Sequence, residues 1–148
     1  MGDVVVRQAR HEDLDTLVGL IRSHVKDSYE RPEPPAENVR SLLGTLLFGK
    51  EGVVLLAEES GRPTGFAILY FTYSTEHAEK IAVLNDVHVI QEERGSGVGG
   101  ELFEACRAFT KENGFAYLTW QVPQDNTKAQ EFFEKMGATR EDWVAYSI

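Results

Sequence analysis

Cysteine is almost absent from this sequence of 148 residues, in which Cys106 is the single example. One cysteine excludes an internal disulfide framework and a zinc site built from several cysteines, and we expect Cys106 to be a core residue. The four histidines (His11, His24, His77, His88) lack the close spacing of metal ligands, so no metal site is predicted. The sequence therefore indicates a reducing compartment.

Long apolar runs are also lacking, since no segment approaches the roughly 20 apolar residues that span a bilayer. The N-terminus has no basic stretch ahead of an apolar run, as a secretory signal would. Positive charge is scarce: 15 Lys and Arg stand against 24 Asp and Glu, a formal charge of −9, which repels nucleic acid and anionic lipid. We expect a soluble cytoplasmic protein with no nucleic-acid or membrane partner, for which a cationic molecule is the easier ligand.

The apolar periodicity predicts one α/β domain over residues 1–148. A chain of this length with 42% hydrophobic residues can bury one sizeable core. Strands are predicted at 4–6, 53–57, 65–73, 81–90, 115–122 and 143–148, and helices at 14–25, 39–47, 99–113 and 126–136. The order β-α-α-β-β-β-α-β-α-β predicts a mixed sheet with helices on both faces, because the last two helices must cross over between roughly parallel strands.

The glycine-rich segment 94–100 (Arg94-Gly95-Ser96-Gly97-Val98-Gly99-Gly100) lies between a predicted strand and a predicted helix. Glycine lets the backbone approach an anion closely, and the helix N-terminus adds partial positive charge, so this segment is suited to a phosphate. The glycines also satisfy the dinucleotide-fold pattern G-x-G-x-x-G, but too few residues follow for further βαβ units. A Walker loop would need Gly-Lys-Ser/Thr, which is missing. An ordinary capped loop remains the alternative.

Three stretches together resemble the GNAT superfamily of N-acetyltransferases. They are Leu84-Asn85-Asp86-Val87-His88-Val89, then Arg94-Gly95-Ser96-Gly97-Val98-Gly99, then Asn126-Thr127-Lys128-Ala129-Gln130-Glu131-Phe132-Phe133 with Gly137-Ala138. The family pattern is a strand, Arg/Gln-x-x-Gly-x-Gly/Ala, and later Asn-x-x-Ala-x-x-Phe-Tyr-x-x-x-Gly. Within the family, the 65–73 stretch, Trp120 and Trp143 look most like the spermidine/spermine (diamine) and thialysine N-acetyltransferase branch.

The resemblance implies a GNAT fold, whose mostly antiparallel central sheet is splayed at strands four and five, and it implies acetyl-CoA as co-substrate. Its pyrophosphate would bind the backbone of residues 95–100 beside Arg94, and its pantetheine arm would follow the strand. The residues implied for the arm and the acetyl end are Val87, His88, Val89, Asn126, Ala129 and Phe133. For Asn126 a helix N-cap is the alternative to a contact with the arm.

Acetyl transfer to an amine needs the neutral amine, whereas an aliphatic ammonium has a pKa of roughly 10.4. The implied catalytic residues are Asn85, Asp86, His88 and Phe133. The related branch carries Glu-Asp where this chain has Asn85-Asp86, and a tyrosine acid where it has Phe133. Because Asn85 and Phe133 cannot exchange protons, Asp86 or His88 is left as the base through water, with solvent protonating the thiolate.

The implied acceptor is a small cationic amine, either a polyamine or a lysine-like amine. Segments that border the acceptor site in the related branch supply candidates for a distal ammonium: Asp27, Glu30, Glu141 and Asp142. A non-catalytic acyl-CoA-binding module and a protein or peptide N-acetyltransferase stay open as alternatives. The branch also implies a homodimer that could bury Phe71, Tyr73 and Trp143, for which intramolecular packing is the alternative.

Overall fold

The computed structural model describes residues 3–48, without the side chain of Phe48, and residues 50–148. Single 3-10 turns, His11–Asp13 and Gln91–Glu93, precede the first and third helices. The strands and α-helices are, in chain order, β1 (Val4–Gln8), α1 (Leu14–Ser28), α2 (Ala36–Phe48), β2 (Gly52–Glu59), β3 (Arg62–Ser74), β4 (Glu79–Val89), α3 (Val98–Glu112), β5 (Leu118–Thr119) and α4 (Thr127–Lys135).

The five strands form one mixed sheet in the order β1-β2-β3-β4-β5. The first three pairings are antiparallel, while β4 and β5 run parallel because α3 crosses over between them. Their pairing matches Ala82 with Leu118 and Val83 with Thr119, and β4 then continues to Val89. The sheet therefore splays between strands four and five, which confirms the expected α/β GNAT fold.

Two apolar clusters pack on opposite faces of the sheet. Helices α1 and α2 cover one face, where the cluster includes Leu17, Ile21, Leu43, Phe66 and Ile68. Helices α3 and α4 cover the other face, where the cluster is centred on α3 and the remaining sides of β2 and β3. The alternation of side chains along each strand separates the two clusters. Helices on both faces are thereby confirmed.

The second cluster includes Leu102, Phe103 and Cys106, all of which are buried. Burial raises the pKa of the Cys106 thiol to about 12, so the thiol stays protonated and unreactive. The prediction that Cys106 is a core residue is confirmed. No helix in the described ranges is both long enough and apolar enough to cross a membrane.

The C-terminal segment differs from the sequence prediction. The prediction of a closing strand at 143–148 was wrong, because residues 138–148 form neither helix nor strand. The side chains of Trp143 and Tyr146 are 82% and 92% exposed, so the single chain offers them no sheet surface to cover. The predicted strand at 115–122 is likewise reduced to Leu118–Thr119. Because residues 138–148 form no strand, α4 is followed by an irregular tail rather than by a crossover to a sixth strand.

Candidate active site

The carboxylate of Asp86, on β4, lies at the centre of a polar network. Its Oδ1 atom is 3.0 Å from His24 Nε2 and accepts a hydrogen bond of 2.7 Å from the Tyr29 hydroxyl. Its Oδ2 atom accepts a hydrogen bond of 2.8 Å from Asn85 Nδ2, and Asn85 Nδ2 also lies 3.5 Å from the Tyr70 hydroxyl. Both oxygens of Asp86 are thus held in place by protein donors.

The network keeps Asp86 ionised. Burial alone would raise the pKa of this carboxyl, but the hydrogen bonds from His24 and Tyr29 outweigh burial and lower its pKa below the ordinary value. Burial also raises the pKa of the hydroxyl of Tyr29, and the Asp86 carboxylate adds to the shift, so Tyr29 remains a donor. Tyr70 is affected in the same direction by the same two causes. The result is a carboxylate held by several hydrogen-bond donors of the protein.

Two histidines extend the network into the core. His24 Nδ1 and His88 Nδ1 are 3.0 Å apart, and both side chains are buried. Burial, together with the nearby charges of His24 and Arg94, lowers the pKa of His88 to about 4, so His88 is neutral near pH 7. His24 Nε2 donates to the Asp86 carboxylate, so the contact between the two Nδ1 atoms needs one hydrogen, carried by one ring and accepted by the other. The two rings are therefore coupled through this contact.

Local sequence pattern explains why these side chains meet. Asp86 and His88 are two residues apart on β4, so they point to the same face, towards α1 and α2. They lie opposite Ile68 and Phe66 of β3, which belong to the cluster on that face. His24 occupies an inward position of α1, and its ring packs edge-on to Phe66 with centroids 5.6 Å apart.

A β-bulge interrupts β4 at the same point. Ile68 pairs with Asp86 and Leu69 pairs with Leu84, so Asn85 is the extra residue. The extra residue of a bulge is left out of the regular ladder, and such bulges are common beside active sites. The bulge therefore frees a stretch of backbone directly next to the Asp86 carboxylate.

A cavity of about 290 Å³ opens beside the network, between α1, α2, β3 and β4. Polar groups from Asn85, Asp86, Tyr29 and Tyr70 gather at the β3–β4 side. The other lining residues are Ile21, Val25, Pro34, Asn38, Val39, Leu42 and Ile68. Of the acids predicted to hold a distal ammonium, Asp27, Glu30, Glu141 and Asp142 are exposed and do not line this cavity.

The glycine segment follows the C-terminal end of β4 and opens α3. Gly95 and Gly97 have φ values of +86° and +95°, a region that glycine adopts without strain. Gly97 is the N-cap of α3, and within the described chain no side-chain hydrogen bond caps this helix. The N–H groups of the first turn, from Val98 to Gly100, therefore lack partners along the helix and are available to an anion.

Two further features of this segment matter for an anion. A Cβ atom added at Gly95, Gly97 or Gly100 would meet nothing within 4 Å, so the surface in front of the loop is open. Arg94 is exposed, and its Nε donates to the carbonyl of Val89 at 2.9 Å, which fixes the guanidinium beside the loop. Ser96 Oγ donates back to the carbonyl of Glu93 and closes the preceding turn.

The remaining predicted cofactor residues lie around the splay. Val87 and Val89 face the α3 side of the sheet, and Ala129 is half-buried on α4. Asn126 Oδ1 accepts a hydrogen bond of 3.1 Å from the N–H of Ala129, so the alternative role as a helix N-cap is confirmed. The cap uses the oxygen of Asn126 and does not use its Nδ2.

Phe133 is separate from the Asp86 network. It lies on α4 in an aromatic group, with ring centroids 5.3 Å from Phe103 and 5.0 Å from Trp120. That group belongs to the cluster on the α3–α4 face of the sheet. Of the four predicted catalytic residues, the structure brings together Asn85, Asp86 and His88, and it places Phe133 across the sheet.

Sequence reasoning missed three members of the network, namely His24, Tyr29 and Tyr70. A signal existed for His24, since a polar residue stands on the apolar stripe of α1 at helical spacing from Leu17 and Ile21. Tyr29 follows the last residue of α1, and its contact with Asp86 joins positions 57 apart in the chain. No local pattern predicts such a contact.

A model of the acetyltransferase (GNAT) family matches residues 18–138, which include the network, the glycine loop and α4. The chain belongs to the GNAT family. GNAT enzymes use acetyl-CoA. The family match, together with similarity to the N-acetyltransferases described in the next paragraph, supports an N-acetyltransferase. Enzyme status therefore replaces the alternative of a non-catalytic module.

Individual GNAT relatives cover most of the chain. An uncharacterised N-acetyltransferase of Bacillus subtilis, YhfO, is 32% identical over 89% of this chain and 87% of its own length. The thialysine N-epsilon-acetyltransferase of Bos taurus is 26% identical over 93% of this chain and 85% of its own. A crystal structure of a probable acetyltransferase superposes with a TM-score of 0.85 at 27% identity, covering 97% of this chain and 96% of that one.

Proposed function

We propose that this protein transfers the acetyl group of acetyl-CoA to the primary amine of a small cationic acceptor. The observation that carries the proposal is the half-buried, ionised Asp86 beside an open cavity, next to a bulge in β4. A carboxylate in this position attracts an ammonium group into the cavity and orients it. Polyamines and lysine-like amines are the acceptor classes that the sequence predicts, and the similarity to thialysine acetyltransferases supports them.

The glycine loop fits the phosphates of acetyl-CoA. Its first-turn N–H groups have no helical partners, the space in front is open, and Arg94 supplies a full positive charge. Val87 and Val89 would lie along the pantetheine arm at the splay, and Nδ2 of Asn126 would donate to it from α4. When bound, acetyl-CoA supplies an acetyl group activated as a thioester.

Asp86 holds the amine and is a weak base by itself. An aliphatic ammonium must lose a proton against about three pKa units near neutral pH, which costs roughly 4–5 kcal/mol. The apolar walls of the cavity disfavour the charged amine and so reduce this cost. A proton leaving the bound amine passes to water beside Asp86, whose carboxylate stabilises the departing charge, while the freed N–H of the bulge at Asn85 donates towards the reacting carbonyl.

The second histidine orients the first in this proposal. His88 is buried and neutral, and it directs the Nε2–H of His24 at Asp86. This assigns His88 a positioning role and removes it from the candidates for direct contact with the amine. Phe133 supplies no proton, so the thiolate leaves with solvent as the acid, which its pKa near 8.5 permits.

We further propose that the protein is one domain over residues 1–148, that it is cytoplasmic and that it forms a homodimer. Tyr73 and Trp143 are 73% and 82% exposed, as residues of a subunit interface would be in one isolated chain. Phe71 instead stacks on Phe109 inside the chain, so it is removed from the predicted interface. A monomer mass in light scattering that does not change with concentration would contradict the dimer.

The decisive assay measures release of the CoA thiol from acetyl-CoA with a panel of small amines, amino acids, aminoglycosides and peptides. We expect release that requires a small primary amine, with mass spectrometry showing the acetylated amine. Turnover confined to peptides would instead favour a protein or peptide N-acetyltransferase. Absence of turnover with every amine would contradict the proposal.

A further inference from the structure

The walls of the cavity beside Asp86 differ from those that a polycation needs. We infer that the acceptor carries its reacting amine on an apolar body and has no second positive charge, an inference that rests on the proposed function. It narrows the acceptor class from the small cationic amines in general to apolar monoamines. The cavity's charge, its shape and the anchoring of one wall each support this conclusion.

Charge in the cavity is confined to one end. Among the described residues that line it, Asp86 alone is charged, and Tyr29, Tyr70 and Asn85 beside it are neutral. The apolar wall is built from aliphatic side chains and a proline: Ile21, Val25, Pro34, Val39, Leu42 and Ile68. Asn38 adds one neutral amide to this lining. A second ammonium pressed against this wall would lose hydration without gaining a charged partner, which is unfavourable.

Acidic residues close to the rim do not supply that partner. Asp27 and Glu30 are exposed and lie outside the cavity lining. Glu33, on the loop between α1 and α2, is paired with Arg22, whose Nη2 lies 3.3 Å from its carboxylate. The negative charge of Glu33 is thereby balanced within the chain.

The same arginine holds the apolar wall in place. Arg22 Nε donates to the carbonyl of Pro34 at 2.9 Å, so the proline that lines the cavity is tied to α1. A volume of about 290 Å³ stands at the lower end of ordinary ligand pockets, about 300–1,000 Å³. A small amine such as hexylamine or phenethylamine matches both the size and the lining.

The test compares hexylamine with cadaverine, which has an ammonium where hexylamine has its terminal methyl. The wild-type protein should acetylate hexylamine with kcat/KM at least about tenfold higher than cadaverine. A single missing methylene in an apolar pocket already changes discrimination by about 10–200-fold, and an unpaired ammonium there is less favourable still. Affinities of both amines for the CoA-saturated protein, measured by calorimetry, should show the same order. Spermidine and lysine serve as further cationic comparators.

A charge placed on the apolar wall should reverse the preference. Leu42 is 40% exposed, so Leu42→Glu can be accommodated without opening the core. This variant should weaken binding of hexylamine and strengthen binding of cadaverine. The preference for hexylamine over cadaverine in kcat/KM should therefore fall about tenfold or invert. Ser41→Glu is the matched control, because it adds the same charge to an exposed neighbour on α2 that does not line the cavity. The control should keep the wild-type preference.

The outcomes separate this inference from the function on which it rests. Equal or better turnover and binding of cadaverine by the wild-type protein would overturn the apolar-acceptor inference and leave the acetyltransferase standing. If no amine on the panel is acetylated, the proposed function fails, and calorimetry alone then decides the inference. An unchanged preference in Leu42→Glu, with the fold intact by circular dichroism, would also overturn it.

Discussion

The two sides of β4 treat their polar groups in opposite ways. On the side of α1 and α2, Asp86 is half-buried and its oxygens already accept hydrogen bonds from His24, Tyr29 and Asn85. At the glycine loop, the N–H groups of the first turn of α3 face open space without helical partners. The first region holds a charge ready for a cation, and the second leaves donors for an anion to complete. Preorganisation therefore differs between the proposed acceptor and cofactor sites.

The largest effect should follow from removing the charge on the acceptor side. Asp86→Asn keeps the size of the side chain but leaves the acceptor ammonium without its partner. We expect kcat/KM for the amine to fall about a hundredfold or more, because losing one partner of a buried charge pair costs about 2–5 kcal/mol. Steady-state kinetics at saturating acetyl-CoA would measure the loss. Asp3→Asn, at an exposed acid before β1, should change little, and a similar loss there would contradict the assignment.

A charge at the glycine loop should damage the other region. Gly99→Asp places a carboxylate in the first turn of α3, where we expect it to repel the CoA phosphates and weaken CoA binding about tenfold or more in calorimetry. Gly99 is preferable to Gly97, whose φ of +95° would strain any side chain. An acid at a helix N-terminus favours the helix, so the fold should persist. The neutral variant Gly99→Asn is the control, and equal CoA affinity for all three proteins would refute an anion site here.

A smaller gain should come from supplying the missing proton donor. Phe133→Tyr adds one hydroxyl to the aromatic group on α4, and we expect kcat to rise severalfold, below the roughly hundredfold of a well-placed general acid. The gain is limited because a thiolate leaves readily near its own pKa. Asn85→Glu should raise kcat/KM at neutral pH by adding a base. If neither variant increases turnover of any amine that binds, the assignment of roles to these two positions is wrong.

The smallest effect concerns stability and pH. The pKa of His88 is lowered to about 4 in the folded protein, against roughly 6.5 when unfolded. Between these values the unfolded chain binds more protons, so the free energy of unfolding should decrease as pH falls from about 6.5 to 4. The charged groups that act on His88 are His24, Arg94, Asp27 and Asp86.

Denaturant unfolding at pH 7 and pH 5 would measure this slope. His88→Asn should show a smaller decrease than the wild-type protein, because the titrating ring is gone. His77→Asn is the matched control, since it removes an exposed histidine from the turn before β4. An unchanged slope in His88→Asn would contradict the neutral, buried state of this ring.

Most of the fold could be predicted from the sequence, because its elements carry strong local patterns. The stripe of α1 and the runs of β2 and β3 are buried as their periodicity indicates. The strand at 143–148 failed because Trp143, Val144 and Tyr146 are apolar and strand-like in composition, yet nothing in one chain pairs with them. Strand formation depends on a partner that local pattern does not reveal.

The glycine loop could be predicted from the sequence as a whole, whereas the acceptor network could be predicted only in part. The residues of the glycine loop are consecutive in the sequence, so one local pattern reveals all of them. The acceptor network is assembled from α1, β3 and β4, and contacts such as Tyr29 with Asp86 join distant positions. Asp86 and His88 were found through the resemblance, whereas Tyr29 and Tyr70 became visible only when the fold placed their hydroxyls beside the carboxylate network.

A single calorimetric comparison tests the division between the two sides of β4 most directly. It measures the affinity of CoA, and of hexylamine in the presence of CoA, for the wild-type protein, Asp86→Asn and Gly99→Asp. We predict that Asp86→Asn weakens binding of the amine and leaves the affinity for CoA unchanged. Gly99→Asp should weaken binding of CoA and leave the affinity for the amine unchanged once CoA is saturating. Amine binding by Asp86→Asn as tight as that of the wild-type protein would contradict separate acceptor and cofactor sites, and so would equal weakening of both ligands by either variant.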